Sequence, residues 1–351
     1  MKPYPNRIAR FVLLLSIMIG LVACKPNPQD DIALFQSFIT ENINKKSADP
    51  YISSTVKPGD KLYEILVNIQ HGRHDIAANQ LQAMIEENDS DAMVWYAKLI
   101  YRSSINNIPK ALSLYQKAMD DGNPYAYIML SPGLISSGCV SYFGENNCTL
   151  EHLNKAIELF KPLSEKGDLR AQYFLLKQQE LDQSKETRAQ YIQEVIRFSQ
   201  SHYYQPLMDY VNTILTRPQG KDKYEARTTE QYNLAIDLLT IASNNNYIPA
   251  IKRLLEVDLD EEIFTKRMEQ LTRLGSTFEI YENYFNSQDE YERYYYAMLF
   301  KQLTGDNKLS SSYRATDDEV KMINEKIEKL ISYMTPMVYI DGFTSRDDWV
   351  D

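Results

Sequence analysis

At 351 residues and 44% hydrophobic content, the chain can bury a sizeable core, as one elongated domain or as two compact ones. Its formal net charge of −10 argues against nucleic acid and against direct capture of a polyanionic polysaccharide, because both need a basic surface. The same charge suits a basic protein partner, and it also serves plain solubility.

The first residues stand apart from any core. Lys2, Arg7 and Arg10 precede an apolar run over 11–22, and small Ala23 then meets Cys24. The run falls short of the roughly 20 residues that span a bilayer, but it fits the central region of a secretory signal. Leu21-Val22-Ala23-Cys24 resembles the lipobox of bacterial lipoproteins, which implies cleavage of residues 1–23 and acylation of Cys24. The alternative is an ordinary cleaved signal or a short anchor in which the Cys is incidental. Acyl chains contribute roughly 0.8 kcal/mol per buried methylene, so several on one Cys would hold the protein stably. The resemblance extends to sorting: Lys25, where an Asp would retain the protein at the inner membrane, implies the outer membrane, facing the periplasm. Residues 24–31 then read as an acylated tether. Loss of Lys2, Arg7 and Arg10 takes the formal charge from −10 to −13.

Next, the spacing predicts a helix over 32–46, with Ile32, Leu34, Phe35, Phe38, Ile39 and Ile43 on one side. It reads as an N-terminal cap covering the exposed face of the first repeat. A loop over 53–59 follows, and Asp60 is placed to cap a helix to about Gln70. Residues 32–74 therefore form a cap and a first helix.

From there the chain repeats itself. Segments 111–126, 156–171 and 235–250 each begin and end on Ala. Large apolar residues sit three and four places in: Leu114 and Tyr115, Leu159 and Phe160, Leu238 and Leu239. Another apolar or small residue stands at seven (Ala118, Leu163, Ala242), and a residue tolerant of positive φ at eleven (Gly122, Gly167, Asn246). Weaker copies start at 77, 191 and 264, with Asn88, His202 and Gly275 at the eleventh place. Positions 0, 3/4 and 7 define a helical face, the eleventh ends the helix in a left-handed turn, and the closing small residue opens the next helix. A period in the thirties to forties built of paired helices signals an all-α solenoid. The pattern, best in KALSLYQKAMDDGNPYA and KAIELFKPLSEKGDLRAQYFL, resembles the Sel1-like repeat, a relative of the tetratricopeptide repeat. That resemblance implies stacked antiparallel helix pairs over 75–290 with helical caps at both ends. The family's usual Leu-Gly in the second helix has only Leu130-Ser131 as its counterpart here.

Two stretches interrupt the array. One, over 136–149, carries Cys139 and Cys148, which should pair in an oxidising periplasm and stabilise the loop by about 2–3 kcal/mol. A metal site is the rival reading, though no CxxC or His cluster accompanies them. The other, over 216–229, is a polar loop, after which Thr228 and Gln231 form a capping box. Such loops serve binding or are merely tolerated. Beyond 290 an aromatic segment (291–303) and a helix from the Thr316/Glu319 capping box to about Met334 make a C-terminal cap, and Pro336 stops it. The tail, with Phe343 and Trp349 among acids, either packs back on the last helices or hangs free for a partner.

Signals for chemistry are weak. His71, His74, His152 and His202 form no metal spacing, and no phosphate loop or nucleophile elbow is present. No catalytic residue, cofactor or metal ligand is assigned, and a hydrolase reading would have to rest on Ser136 or His152. The 26 Tyr residues say more, since Tyr offers wide contact area with a polar handle. Tyr63, Tyr96, Tyr101, Tyr127, Tyr173 and Tyr210 fall where they could line a concave face, or else fill gaps between helices. The reading is a membrane-anchored periplasmic scaffold that binds another protein. Its alternative is an immunity protein that neutralises a lipase or phospholipase effector of type VI secretion, as some Sel1-like envelope proteins do.

Overall fold

The computed structural model describes residues 26–132, 138–216, 228–257 and 261–350. Among these residues the protein is all α, without a strand, and its helices pack mostly on their neighbours in sequence, as in an α-solenoid. The signal segment, Cys24, Lys25, Ser136 and most of the 216–229 loop lie outside the described residues.

A lone helix α1 (Pro28–Asn42) and the short α2 (Tyr63–Gln70) precede the pairs. The pairs are α3 (His74–Glu86) with α4 (Ser90–Ile100), α5 (Ile108–Asp120) with α6 (Pro124–Met129), and, after the small α7 (Cys139–Phe143), α8 (Leu150–Glu165) with α9 (Leu169–Lys177). They continue as α10 (Lys185–Gln200) with α11 (Gln205–Leu215), α12 (Thr229–Asn244) with α13 (Ile248–Val257), and α14 (Glu261–Arg273) with α15 (Phe278–Asn286). The last helices are α16 (Glu290–Thr304) and α17 (Asp317–Tyr333).

The sequence register holds in all six copies. Asn88, Gly122, Gly167, His202, Asn246 and Gly275 have φ of 61°, 75°, 91°, 59°, 62° and 79°. In each turn the next residue's N–H bonds the carbonyl five residues back, at Met84, Ala118, Leu163, Phe198, Ala242 or Leu271. This is the Schellman closure of a helix, and its acceptors are the apolar residues at the seventh place. Asp89, Asn123 and Asp168 then turn their side chains onto the first free N–H groups of α4, α6 and α9. Ala77, Ala111, Ala156 and Ala235 at the start, and Ala92, Ala126, Ala171 and Ala250 at the close, have no exposed surface, so small side chains let the helices approach. Of the large residues, Leu114, Tyr115 and Phe160 are buried while Leu159 is only half-buried.

Both predicted capping boxes form, at Thr228/Gln231 and Thr316/Glu319. Asp60 does not cap α2. Its carboxylate accepts from the Lys57 N–H at 2.6 Å, and the helix begins at Tyr63. Cys139 and Cys148 lie at disulfide distance, their Cα atoms 6.0 Å apart.

The largest departure concerns α1, whose main partners are α10 and α12 in the middle of the array, not the first repeat. Phe35 packs against Tyr210 with ring centroids 4.9 Å apart. Asp31 is fully buried, bound by Arg188 Nη2 at 2.7 Å and Tyr210 OH at 3.0 Å. Hydrophobic spacing had shown that one side of α1 is covered, but the covering surface is set by the Asp31–Arg188 pair, 157 residues apart in sequence. Residues 28–31 thus belong to the folded part, and a tether can extend only to Asn27.

The array also closes on itself. His71 Nε2, at the α2–α3 turn, lies 2.7 Å from the Gly275 carbonyl at the α14–α15 turn. Arg73 packs against Gly305, the left-handed residue after α16. The first helices therefore meet the last ones, making a ring. The C-terminal cap read over 291–351 divides in two. Helices α15–α17 form their own cluster around Ile280, Leu299, Phe300, Ile323 and Ile327, whereas residues 337–340 and Trp349 join the main core.

Candidate functional site

The inner face of the ring holds the protein's own C-terminal strap, residues 335–350. Its first half is bound through the main chain. Thr335 and Met337 N–H groups donate to the Arg273 and Leu274 carbonyls, at 2.8 and 3.0 Å. Tyr63 OH donates to the Pro336 carbonyl, and Gln70 donates to Met337 O while accepting from Tyr339 N–H at 2.9 Å. Thr55 holds the carbonyls of Val338 and Ile340. Met337, Val338 and Ile340 have no exposed surface. A segment without helix or strand can be buried this deeply because the ring supplies partners for its peptide groups.

The second half turns at Asp341, whose carboxylate accepts from the N–H groups of Phe343 and Thr344 and from Tyr203 OH at 3.1 Å. Gly342 is required by close approach: a Cβ there would stand 2.2 Å from the Tyr125 ring. Phe343 stacks on Phe174 at 6° and 5.5 Å, with Tyr125 and Phe160 tilted against it. Trp349 is fully buried against Trp95, ring centroids 5.5 Å apart. Between these aromatic sites Lys98 donates to the carbonyls of Gly342 and Thr344, at 2.9 and 3.2 Å, with its ammonium over both Trp rings. Burial pushes Lys98 down to about 8, and Asp341 pulls it the other way.

Beside the strap an open cleft of about 530 Å³ remains, walled by α9, α11, α13 and residues 339–350. Tyr173, Phe174 and Met208 line it, and Asn212, Glu256, Asp347 and Asp348 are exposed at its edge. Burial, with the Asp347 charge beside it, raises the Asp348 carboxyl. Arg253 Nε is buried in the wall with no hydrogen-bond partner. A smaller cavity of about 340 Å³ lies on the strap's other side, between Trp95, Tyr125 and Arg170, and Asp341 borders both.

The sequence candidates are scattered. Tyr173 alone among the five reaches the cleft, where its OH donates to Asp209 Oδ2 at 2.5 Å, and burial with that charge raises its pKa far above the usual phenol range. Tyr210 is fully buried and pins α1. Tyr96 is buried, its OH held by Gln82 and Lys110. Tyr101 packs edge-on against Tyr142 of α7, and Tyr127 donates to the Met119 carbonyl. Tyr96 and Tyr210 therefore fill gaps between helices, Tyr101 and Tyr127 are half-buried, and Tyr63 holds the strap. His152 Nδ1 lies 2.7 Å from the Leu130 carbonyl and steadies the insertion. No cluster of three or more His, Cys, Asp or Glu fit to hold a metal occurs among the described residues.

Sequence reasoning missed Lys98, Asp341 and Gly342, and it singled out Phe343 and Trp349 in the tail without saying what they would pack against. The available signal was a Gly-Phe pair with a following Trp in a segment that a Pro had already barred from helix. No family model, no characterised protein and no solved structure matches the chain.

Proposed function

We propose that this protein is a lipid-anchored, periplasm-facing protein-binding module of Sel1-like build, tethered through Cys24 at the outer membrane. The observation that carries the reading is the cleft: a floor of Tyr173, Phe174 and Met208 under an edge of Asp347, Asp348 and Glu256. Aromatic floors with charged rims are the chemistry of protein contacts, where buried aromatic groups supply affinity and rim charges set approach. Asp347 and Glu256 are paired with Arg102 and Arg253, and Lys177 and Lys252 share the lining, so a preference for a basic partner rests on Asp348 and on the chain's net charge of −10. No enzymatic role is proposed.

The test is capture from envelope extract by an acyl-free form beginning at residue 24 with Cys24→Ser, beside the same form carrying Asp347→Lys and Asp348→Lys. A specific protein recovered by the first and lost by the second is expected. Recovery of none, or equal recovery by both, would refute the reading. The partner's identity then separates the two uses, since a lipolytic effector means immunity and export or secretion machinery means scaffold.

A further inference from the structure

The two halves of the strap are held in different ways. In 335–340 the ring bonds directly to the peptide groups, at Arg273, Leu274, Tyr63, Gln70, Ser54 and Thr55. In 342–350 the N–H groups of Phe343, Thr344, Asp347, Asp348 and Trp349 bond within the strap itself. The ring grips this half by Lys98, by the exposed Arg102–Asp347 pair, and by two aromatic sites, the Phe174 stack under Phe343 and the tilted contact of Trp95 with Trp349. The same half forms one wall of the open cleft and brings exposed Val350 beside Gly72, where the first and last helices meet.

We propose that residues 342–350 are a resident pseudo-ligand, and that the groove beneath them docks a peptide segment of a protein partner folded in the same way, a turn followed by a 3-10 turn. That segment carries one aromatic side chain for the Phe174 stack and a second, six residues on, for the Trp95–Lys98 site. The groove itself sets these requirements. Lys98 reads main-chain carbonyls and is indifferent to which chain supplies them. The Phe174 site accepts a stacked ring, and the Trp95 site a tilted ring beneath the Lys98 ammonium. The unpartnered Arg253 Nε offers a donor to a carbonyl that the resident strap does not supply. A segment of this kind enters along the open cleft and displaces residues 342–350, while the first half stays bound. The proposal locates the partner site of the protein-binding reading, but the exchange is a property of the groove and is measured without any partner.

Hydrogen exchange on the acyl-free chain is the first measurement. The amides of Phe343, Thr344 and Trp349 should open about a hundredfold more readily than those of α4 and α12, while Met337 and Tyr339 remain as protected as the core. The second is binding of a fluorescent peptide of residues 341–350. Helical Phe343→Ala protein should bind it at least about tenfold more tightly than the unsubstituted chain, because its own strap competes less. A peptide with both aromatic residues replaced by Ala should bind neither. Strap amides that exchange only with the core overturn the proposal, as does a folded Phe343→Ala protein that ignores the peptide. A failed capture from envelope extract touches neither result.

Discussion

Replacing Arg188 by Met tests whether α1 is fastened to the middle of the ring. Asp31 has no exposed surface and the Arg188 side chain is 12% exposed. Arg188 Nε lies 3.1 Å from both carboxylate oxygens and Nη2 lies 2.7 Å from Oδ2, so the fork is bidentate. With Arg188 gone, the Tyr210 hydroxyl is the remaining partner shown for Asp31, a single neutral donor for a buried charge. Breaking a buried pair from one side costs about 3–5 kcal/mol, and Met keeps enough side chain to limit the packing loss. Urea unfolding of the acyl-free chain, followed by circular dichroism, should show that loss. The double variant Asp31→Leu with Arg188→Met should return to within about 1 kcal/mol of the parent, because no unpaired charge remains. A single variant that unfolds within about 0.5 kcal/mol of the parent would show that α1 does not dock through this pair.

Other expectations follow from the turns, the last helices and the insertion. Gly167 has φ of 91° and open space around a would-be Cβ, so Gly167→Ala should cost about 1–2 kcal/mol from backbone strain alone, read as a lower urea midpoint. An unchanged midpoint would contradict the left-handed turn. Glu279 lines an apolar groove of about 390 Å³ with Tyr295, Tyr296 and Leu330, and burial, aided by Glu269, raises its carboxyl to about 7. Between about pH 4.5 and 7 the folded state then binds more protons than the unfolded one, so this group's contribution is full below that window and is lost as pH rises through it. Glu279→Gln should therefore gain about 1–2 kcal/mol at pH 8, allowing for solvent at the groove mouth, and almost nothing at pH 4. An equal effect at both pH values would mean that Glu279 does not titrate in this window. Replacing Cys139 and Cys148 by Ser frees a short loop, and should lower stability by about 2–3 kcal/mol with the loss centred on α7. A variant as stable as the parent would remove the disulfide from the account.

The repeat was legible because its signal is local. Three residue types at fixed spacing decide where a helix ends, and the left-handed place can be filled by His202 as well as by Gly122 because neighbouring helices enforce the turn. The docking of α1 was not legible. Phe35, Phe38 and Ile39 state that a face is buried, but nothing near them in sequence names Arg188. The strap escaped for the opposite reason. Residues 337–340 are buried in extended form by partners on α2 and the loop before it, so neither helical nor alternating periodicity marks them. Tyrosine count alone places no site, because the same ring that suits a recognition surface also suits an inter-helix gap. Only position in the finished ring tells Tyr173 from Tyr210.

The contact between His71 and Gly275 sets a counting rule. In an open array each helix pair adds length, and one more or one fewer changes only how far the protein reaches. Here every pair contributes a share of a full turn that must bring the α2–α3 corner back to the α14–α15 corner, 204 residues away. Gain or loss of a pair would leave the ends overlapping or gaping, and the strap would lose the two banks it lies between. Duplication is thereby closed as a route of change, and variation is channelled into connections such as the Cys-bearing insertion. Unfolding should share that character. With Thr55 joined to Val338 across 283 residues, the pairs cannot fray one by one as they do in linear arrays, and the ring should open as a unit.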